Sequence, residues 1–302
     1  MTGWDVELLL ARDARDSRAL AHDREAGLVR LIRRGVYAAE AALADLTVEE
    51  QHVVAMRAAA ARSDRPLVFS HWSAMTAHGL DSLAGRLGSV HVTFARPEQR
   101  GLERVSSHLL PLREEEVVDV HGLLVTGVGR SVVDVAATGT FEDGVIAADS
   151  ALRSGLPKAV LDLAVDLAGR RRSARRIAAV VAFADARSGS VGESLSRVTM
   201  HRMGLHPELQ QKHFDHRGFI GRSDFFFPDE RAACEFDGRV KFSDPRYAPN
   251  GAAEVLWKEK VREDRMRAVN DGFARWGWPE AQDPRRLAPV LRAAGVRVPA
   301  RF

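Results

Sequence analysis

Three carboxylates set in strand-like apolar sequence constrain this chain more than any other feature. Asp224 lies inside GRSDFFFP, while Glu235 and Asp237 lie in RAACEFDG; both runs carry the aromatic and small apolar residues of a half-buried strand. A charged carboxylate among such neighbours is costly unless it is paired or bound to a cation. Residues two apart on a strand share a face, so Glu235 and Asp237 point the same way and Asp224, on the preceding strand, is placed to meet them. Around these runs GESLSRVTMHRMG reads as a helix, PELQQKHFD as a strand, EVLWKEKVREDRMRAVNDG as a helix and FARWGW as a short strand. The order is α-β-β-β-α-β.

A hard divalent metal is the economical reason for such acids. Mg²⁺ (or Mn²⁺) takes few protein carboxylates and keeps waters and substrate phosphate oxygens, a set that Asp224, Glu235 and a peptide carbonyl supply. Glu193, on the preceding helix, is placed to complete the shell or orient a water. Phosphodiester hydrolysis also needs a cation beside the developing charge, and Lys241, Lys260 and Arg262 are the local ones. Taken singly, Glu193, Asp224 and Asp237 each read as a cap or a surface ion-pair partner; the spacing of the set favours the metal site. Cys234, one residue before Glu235, faces the other side of the strand and reads as a small packed residue. His213, Asp215 and His216 in KHFDH have zinc-ligand types but no second cluster, and Trp257, Trp276 and Trp278 read as core packing more than as base-stacking platforms.

Upstream the signals change. VELLLA, then Leu20, Leu28, Val29, Leu31 and Ile32, recur at helix-like intervals, and Gly35 followed by Val36-Tyr37 reads as a turn into a strand. Helices followed by a small basic hairpin predict a winged helix over residues 1–45, with Arg24, Arg30, Arg33 and Arg34 as nucleic-acid contacts, against the bland alternative of a solvated charged face. Residues 46–155 alternate helix and strand. Their histidines His71, His78, His91, His108 and His121 show no metal-ligand spacing and receive no chemistry, while Arg130 and Asp134, four apart, read as a local ion pair. Residues 156–190 form an Ala-rich helical hairpin with a basic knot, Arg170 to Arg176, expected to bridge to the C-terminal domain at 191–302.

Composition bounds the rest. In 302 residues, 44 Lys and Arg against 41 Asp and Glu leave a net charge of +3, which permits nucleic acid without demanding it. With 45% hydrophobic and 28% charged residues the chain is neither disordered nor fibrous. A single cysteine, no apolar run long enough for a membrane span and acidic residues near the start point to a reducing cytoplasm, with no membrane partner.

The run GRSDFFFPDERAACEFDGRVKF, followed by WKEKVREDRMRAVNDGFARWGW, resembles the nuclease-like domain of the PD-(D/E)XK superfamily, in the branch related to very-short-patch-repair endonucleases. That resemblance covers the last third. It implies an α/β restriction-endonuclease-like core, a mixed sheet flanked by helices, in which Glu193 matches the helix glutamate, Asp224 the metal-binding aspartate and Glu235 the second acid. Asp237 stands at the superfamily's consensus lysine, so Lys241 or Lys260 has to reach the site from elsewhere, and the tryptophan-histidine pair found after Asp-Gly in many relatives is absent. The stretches LVRLIRRGVYAA, FSHWSAMTAHGL, VHVTF and GLLVTGVGRSVVDVAA resemble AbiEi-type antitoxins of type IV toxin-antitoxin systems, which implies DNA binding by residues 1–45 and a cognate toxin or operon partner. Together these predict an α+β chain that is a metal-dependent DNA endonuclease recruited by a winged helix, or alternatively an antitoxin or transcriptional regulator on an inactive nuclease scaffold.

Overall fold

The computed structural model describes residues 2–12, 14–96, 105–169, 173–238 and 252–302. The chain is mixed α+β and divides into two compact units, Met1–Phe183 and Ala184–Phe302.

The first unit opens with a three-stranded antiparallel sheet in the order β1-β3-β2, from β1 (Leu9–Leu10), β2 (Val29–Arg33) and β3 (Val36–Ala39), with α1 (Ala14–Glu25) between β1 and β2. Gly35 turns the β2–β3 hairpin at φ +75°, a left-handed conformation that glycine adopts without steric cost. The hairpin is therefore where the sequence places it, but what precedes it differs. VELLLA and Leu28–Ile32 supply strands, and among the described residues of 1–45 one helix, α1, comes before the hairpin. The reason is tertiary: Leu9 and Leu10 pair with Tyr37 and Val36, and short apolar runs carry no period that separates helix from strand. Val6, Ala38, Leu43 and Val54 close the small core, joining the sheet to α2 (Glu40–Leu43) and α3 (Val48–Ala61).

Beyond it lies a five-stranded mixed sheet, β6-β5-β4-β8-β7, built from β4 (Val68–Phe69), β5 (Val90–Phe94), β6 (Val105–Leu109), β7 (Val117–Val120) and β8 (Leu123–Thr126). Helix α4 (His71–Ala77) packs on β5, while α5 (Val128–Thr138) is buried from Gly129 to Ala136 beside α6 (Phe141–Arg153). On α5 the Arg130 Nε donates to Asp134 Oδ2 at 2.8 Å, the local ion pair expected from the spacing. The stretch expected as a linker, α7 (Lys158–Ala168) and α8 (Ala174–Phe183), packs on α5 and α6 through buried Leu161, Ile177 and Val180. Arg176, from the basic knot, donates to the Ala136 carbonyl at 2.7 Å and so closes the end of α5; Arg170, Arg171 and Arg172 lie outside the described residues.

The second unit follows the predicted order element by element: α9 (Val191–Arg202), β9 (Glu208–Asp215), β10 (Gly218–Phe227), β11 (Ala232–Phe236), α10 (Ala252–Val269) and β12 (Gly272–Trp276). Its sheet runs β12-β11-β10-β9, antiparallel except for the β11–β12 pair. Ile220, Ala233 and Met266 pack α10 onto one face. On the other, Trp276 stacks on Phe225 and donates to Ser196 Oγ of α9 at 2.9 Å, the core role expected of that tryptophan. Trp257 differs, being 65% exposed on α10. The chain closes with α11 (Trp278–Ala281) and α12 (Pro284–Ala293). Among the described residues no helix is long and apolar enough to cross a membrane.

Candidate active site

The end of a strand ladder and the start of a helix bring the predicted acids together. The β10–β11 pairing stops at Phe225 opposite Cys234, and one position further the Asp224 side chain replaces a main-chain acceptor, its Oδ2 receiving the Phe236 N–H at 2.9 Å. From the other neighbour, β9, the register places Gln210 opposite Asp224. Gln210 Nε2 donates to Asp224 Oδ1 at 3.3 Å and to Glu193 Oε2 at 3.0 Å, so one amide bridges two carboxylates. Gln210 holds that position at φ +57°, a left-handed conformation that costs a non-glycine residue about 1–2 kcal/mol.

Glu193 is fixed by the way α9 begins. Ser190 Oγ accepts from the Glu193 N–H at 3.2 Å and donates to Glu193 Oε1 at 3.0 Å, while the Gly189 N–H donates to Oε2 at 2.8 Å. This is the cap that the bland reading of Glu193 predicts, and it points the carboxylate at Asp224. Gly192 permits the approach, since a Cβ there would stand 2.0 Å from the Phe236 ring. Burial, and next the Glu193 charge, push the Asp224 carboxyl up to about 7; the Phe236 and Gln210 hydrogen bonds pull it down but are outweighed. Near neutral pH the Asp224 carboxyl is therefore about half-protonated, and a cation placed here would favour its charged form.

The third acid sits differently. Glu235, buried on β11, has Arg275 of β12 as its registered neighbour. Arg275 Nη2 donates to Glu235 Oε2 at 2.7 Å, and Arg262 of α10 grips both oxygens at 2.8 Å each. Glu259 closes the ring by accepting from Arg262 and Arg275, both at 2.7 Å. Glu259 and Glu235 raise the Arg262 guanidinium above its ordinary value. The site thus has two halves: Glu193 and Asp224 in want of positive charge, and Glu235 and Glu259 already clamped by it.

Among the other expected residues, Asp237 lies just past β11, half-buried, its N–H donating to the Trp276 carbonyl at 2.7 Å. Lys260 is exposed on α10, and Lys241 lies outside the described residues. Among the described residues, Arg262, a sequence candidate, and Arg275, which sequence reasoning missed along with Gln210 and Glu259, reach the Glu235 carboxylate. No motif marks Gln210 or Arg275; only strand register puts them beside Asp224 and Glu235. The zinc reading of KHFDH does not hold: His213 is buried against Ser223 Oγ at 2.9 Å, Asp215 is clamped by Arg265 at 2.7 and 2.8 Å, and His216 is exposed at the hairpin turn. Burial pushes the Cys234 thiol up to about 12, which suits packing and not nucleophilic attack. In the first unit, Arg24 and Arg34 are exposed, Arg33 is half-buried, and Arg30 is tied to Glu40 by a two-point ion pair with Nε–Oε2 at 2.9 Å.

No family model matches the chain. It is similar to Uncharacterized protein MT2308 of Mycobacterium tuberculosis (strain CDC 1551 / Oshkosh) and Uncharacterized protein Rv2248 of Mycobacterium tuberculosis (strain ATCC 25618 / H37Rv), with 30% identity over 182 residues in each case. The alignment takes in 59% of this chain, and the chain spans 62% of the length of these relatives.

Proposed function

We propose that the chain is a metal-dependent DNA endonuclease of the PD-(D/E)XK type, working in the cytoplasm, with residues 1–45 recruiting DNA through Arg24, Arg33 and Arg34. The observation that carries this reading is the Glu193–Asp224 pair, bridged by Gln210 and short of one positive charge. Its donors are hard oxygens, which suit Mg²⁺ or Mn²⁺ better than a softer ion. Asp224 and Glu193 would hold the ion, with Glu235 at the rim. When bound, such an ion polarises a phosphate oxygen and acidifies the attacking water. Gln210 orients both carboxylates, and Arg262 and Arg275 supply the cationic charge beside a phosphate that the superfamily's lysine supplies elsewhere.

A second reading has its own observation. Both Glu235 oxygens are occupied by guanidinium groups, a closed network that suits a scaffold as well as a catalyst. On that reading the protein is an AbiEi-like antitoxin or regulator that binds DNA and a toxin partner without cutting. Incubation of plasmid, linear and single-stranded DNA with the purified chain in Mg²⁺, Mn²⁺ or EDTA, beside Asp224→Ala, separates the two. Cleavage abolished by EDTA and by the substitution establishes the nuclease. A folded chain that shifts DNA in a gel and leaves it intact in every metal establishes the regulator.

A further inference from the structure

The histidines left without chemistry by their sequence spacing converge in the fold. His71 opens α4, His91 lies in β5 and His108 in β6. The parallel β5–β6 register sets Thr93 beside His108, and because alternate strand residues share a face, His91 and His108 lie on the same side. The Ser70 N–H donates to the His91 carbonyl at 3.0 Å, which brings the start of α4 to the same spot. One nitrogen from each ring comes within 4.8 Å of the other two. His91 Nδ1 and His108 Nε2 are 2.9 Å apart, and the His71 and His108 rings stack with centroids 3.6 Å apart at 18°.

Three features separate this cluster from ordinary core histidines. First, His71 and His91 are buried and His108 half-buried, so three polar rings occupy volume that aliphatic side chains would fill at lower desolvation cost. Second, His71 is held at φ +53°, a left-handed conformation that costs a non-glycine residue about 1–2 kcal/mol. Third, hydroxyls orient the ring: Ser70 Oγ lies 2.8 Å from His71 Nδ1 and Thr138 Oγ1 lies 3.2 Å from Nε2, with Thr93 Oγ1 donating to Ser70 at 2.8 Å. Each His71 nitrogen has a hydroxyl partner, so a bound metal would displace one of these contacts while the other fixes the ring, as a hydrogen bond on the second nitrogen does in metal-ligating histidine.

From this geometry we propose that His71, His91 and His108 form a zinc-type site in the first unit, distinct in place and chemistry from the carboxylate corner. Three imidazoles with no carboxylate or thiolate suit a borderline ion such as Zn²⁺ and not Mg²⁺. A tetrahedron with Zn–N of about 2.0–2.1 Å sets ligand nitrogens roughly 3.3 Å apart, a few tenths of an ångström beyond the present His91–His108 spacing. No proton need be lost, because the imidazole donor at that contact can shift its N–H to its other ring nitrogen. An imidazole is ordinarily neutral at pH 7 and so carries a ligand lone pair. His108, half-buried, is the least enclosed of the three rings.

The proposal stands whether or not the carboxylates cut DNA, and its test is chosen accordingly. The full chain, freed of any polyhistidine tag and stripped with EDTA, is titrated with Zn²⁺ in excess Mg²⁺, which occupies hard carboxylate sites, by equilibrium dialysis and calorimetry, beside His91→Gln, His108→Gln and His201→Gln. A single Zn²⁺ per chain is expected, with a rise in melting temperature, unchanged in His201→Gln and weakened by roughly 100-fold or more in His91→Gln and His108→Gln. Should those two variants fail to fold, the ¹⁵N resonances of the wild-type imidazoles decide: zinc is expected to move three of them and leave the rest. A folded wild-type chain that takes up no Zn²⁺, equal uptake in His108→Gln, or zinc that shifts exposed histidines instead overturns the site.

Discussion

The two units each gather like-charged or like-basic groups in one buried corner, and they manage the conflict in opposite ways. In the second unit Glu193 and Asp224 sit side by side while their neighbours Glu235 and Glu259 are neutralised by Arg262 and Arg275. In the first, His71, His91 and His108 meet, and burial lowers His91 and His108 below the ordinary imidazole value. An acid corner therefore asks for a proton or a hard cation, and an imidazole corner asks for a lone-pair acceptor. That difference, and not the number of ionisable groups, decides which ligand each corner suits.

The largest expected loss of stability comes from breaking the clamp that separates the halves of the acid corner. Glu235→Gln leaves Arg262 and Arg275 facing an amide, and removing one member of a fully buried pair costs about 3–5 kcal/mol. Both arginines keep some solvent contact and Glu259 remains, so the loss expected here is about 2–3 kcal/mol, read by urea unfolding of the second unit. If Glu235→Gln is as stable as wild type, the clamp is a surface feature and the division of the site into two halves fails.

The pH dependence sharpens the contrast because the signs are opposite. Asp224 titrates near 3.8 when unfolded and about 7 when folded, so the stability it confers is fully present below pH 3.8, falls as pH rises and is gone above 7. Asp224→Asn is expected to gain on wild type by about 1.4 kcal/mol per pH unit across that window. His91 titrates near 6.5 unfolded and about 3 folded, so its contribution is complete above pH 6.5 and lost toward pH 3. Amide exchange resolved by unit, from pH 4 to 8, reads both slopes. A wild-type minus Asp224→Asn difference that stays flat with pH removes the case for a charge-starved corner.

How much of this was legible in the sequence follows from distance along the chain. The second unit's elements and its acids are written in contiguous runs: FFFP and AACEF are apolar enough to be strands, and the period-2 rule then assigns Asp224 and Glu235 their positions. Gln210 and Arg275 escaped because nothing in PELQQKHFD or FARWGW distinguishes them; their role comes from register, which is a pairing between strands and not a property of either. The histidine corner escaped for a stronger form of the same reason. His71, His91 and His108 belong to a helix start and two parallel strands, and a parallel pairing has no hairpin to fix its register in sequence. VELLLA misled because a short strand gains its identity from Tyr37 and Val36, residues far down the chain.

The smallest effect tests whether the acid corner depends on a purely local signal. Ser190 is an N-cap that sequence alone marks, and its hydroxyl both accepts from the Glu193 N–H and donates to the Glu193 carboxylate. Ser190→Ala is expected to cost about 1 kcal/mol, the usual worth of such a cap, confined to the second unit. It also removes a hydrogen bond that aims the Glu193 carboxylate at Asp224, so the Glu193 charge moves away and Asp224 is expected to titrate lower than in wild type, visible in the ¹³C shift of its carboxyl. A loss of stability with no movement of the Asp224 titration means that the cap holds the helix alone, and that Gln210 by itself couples the two acids.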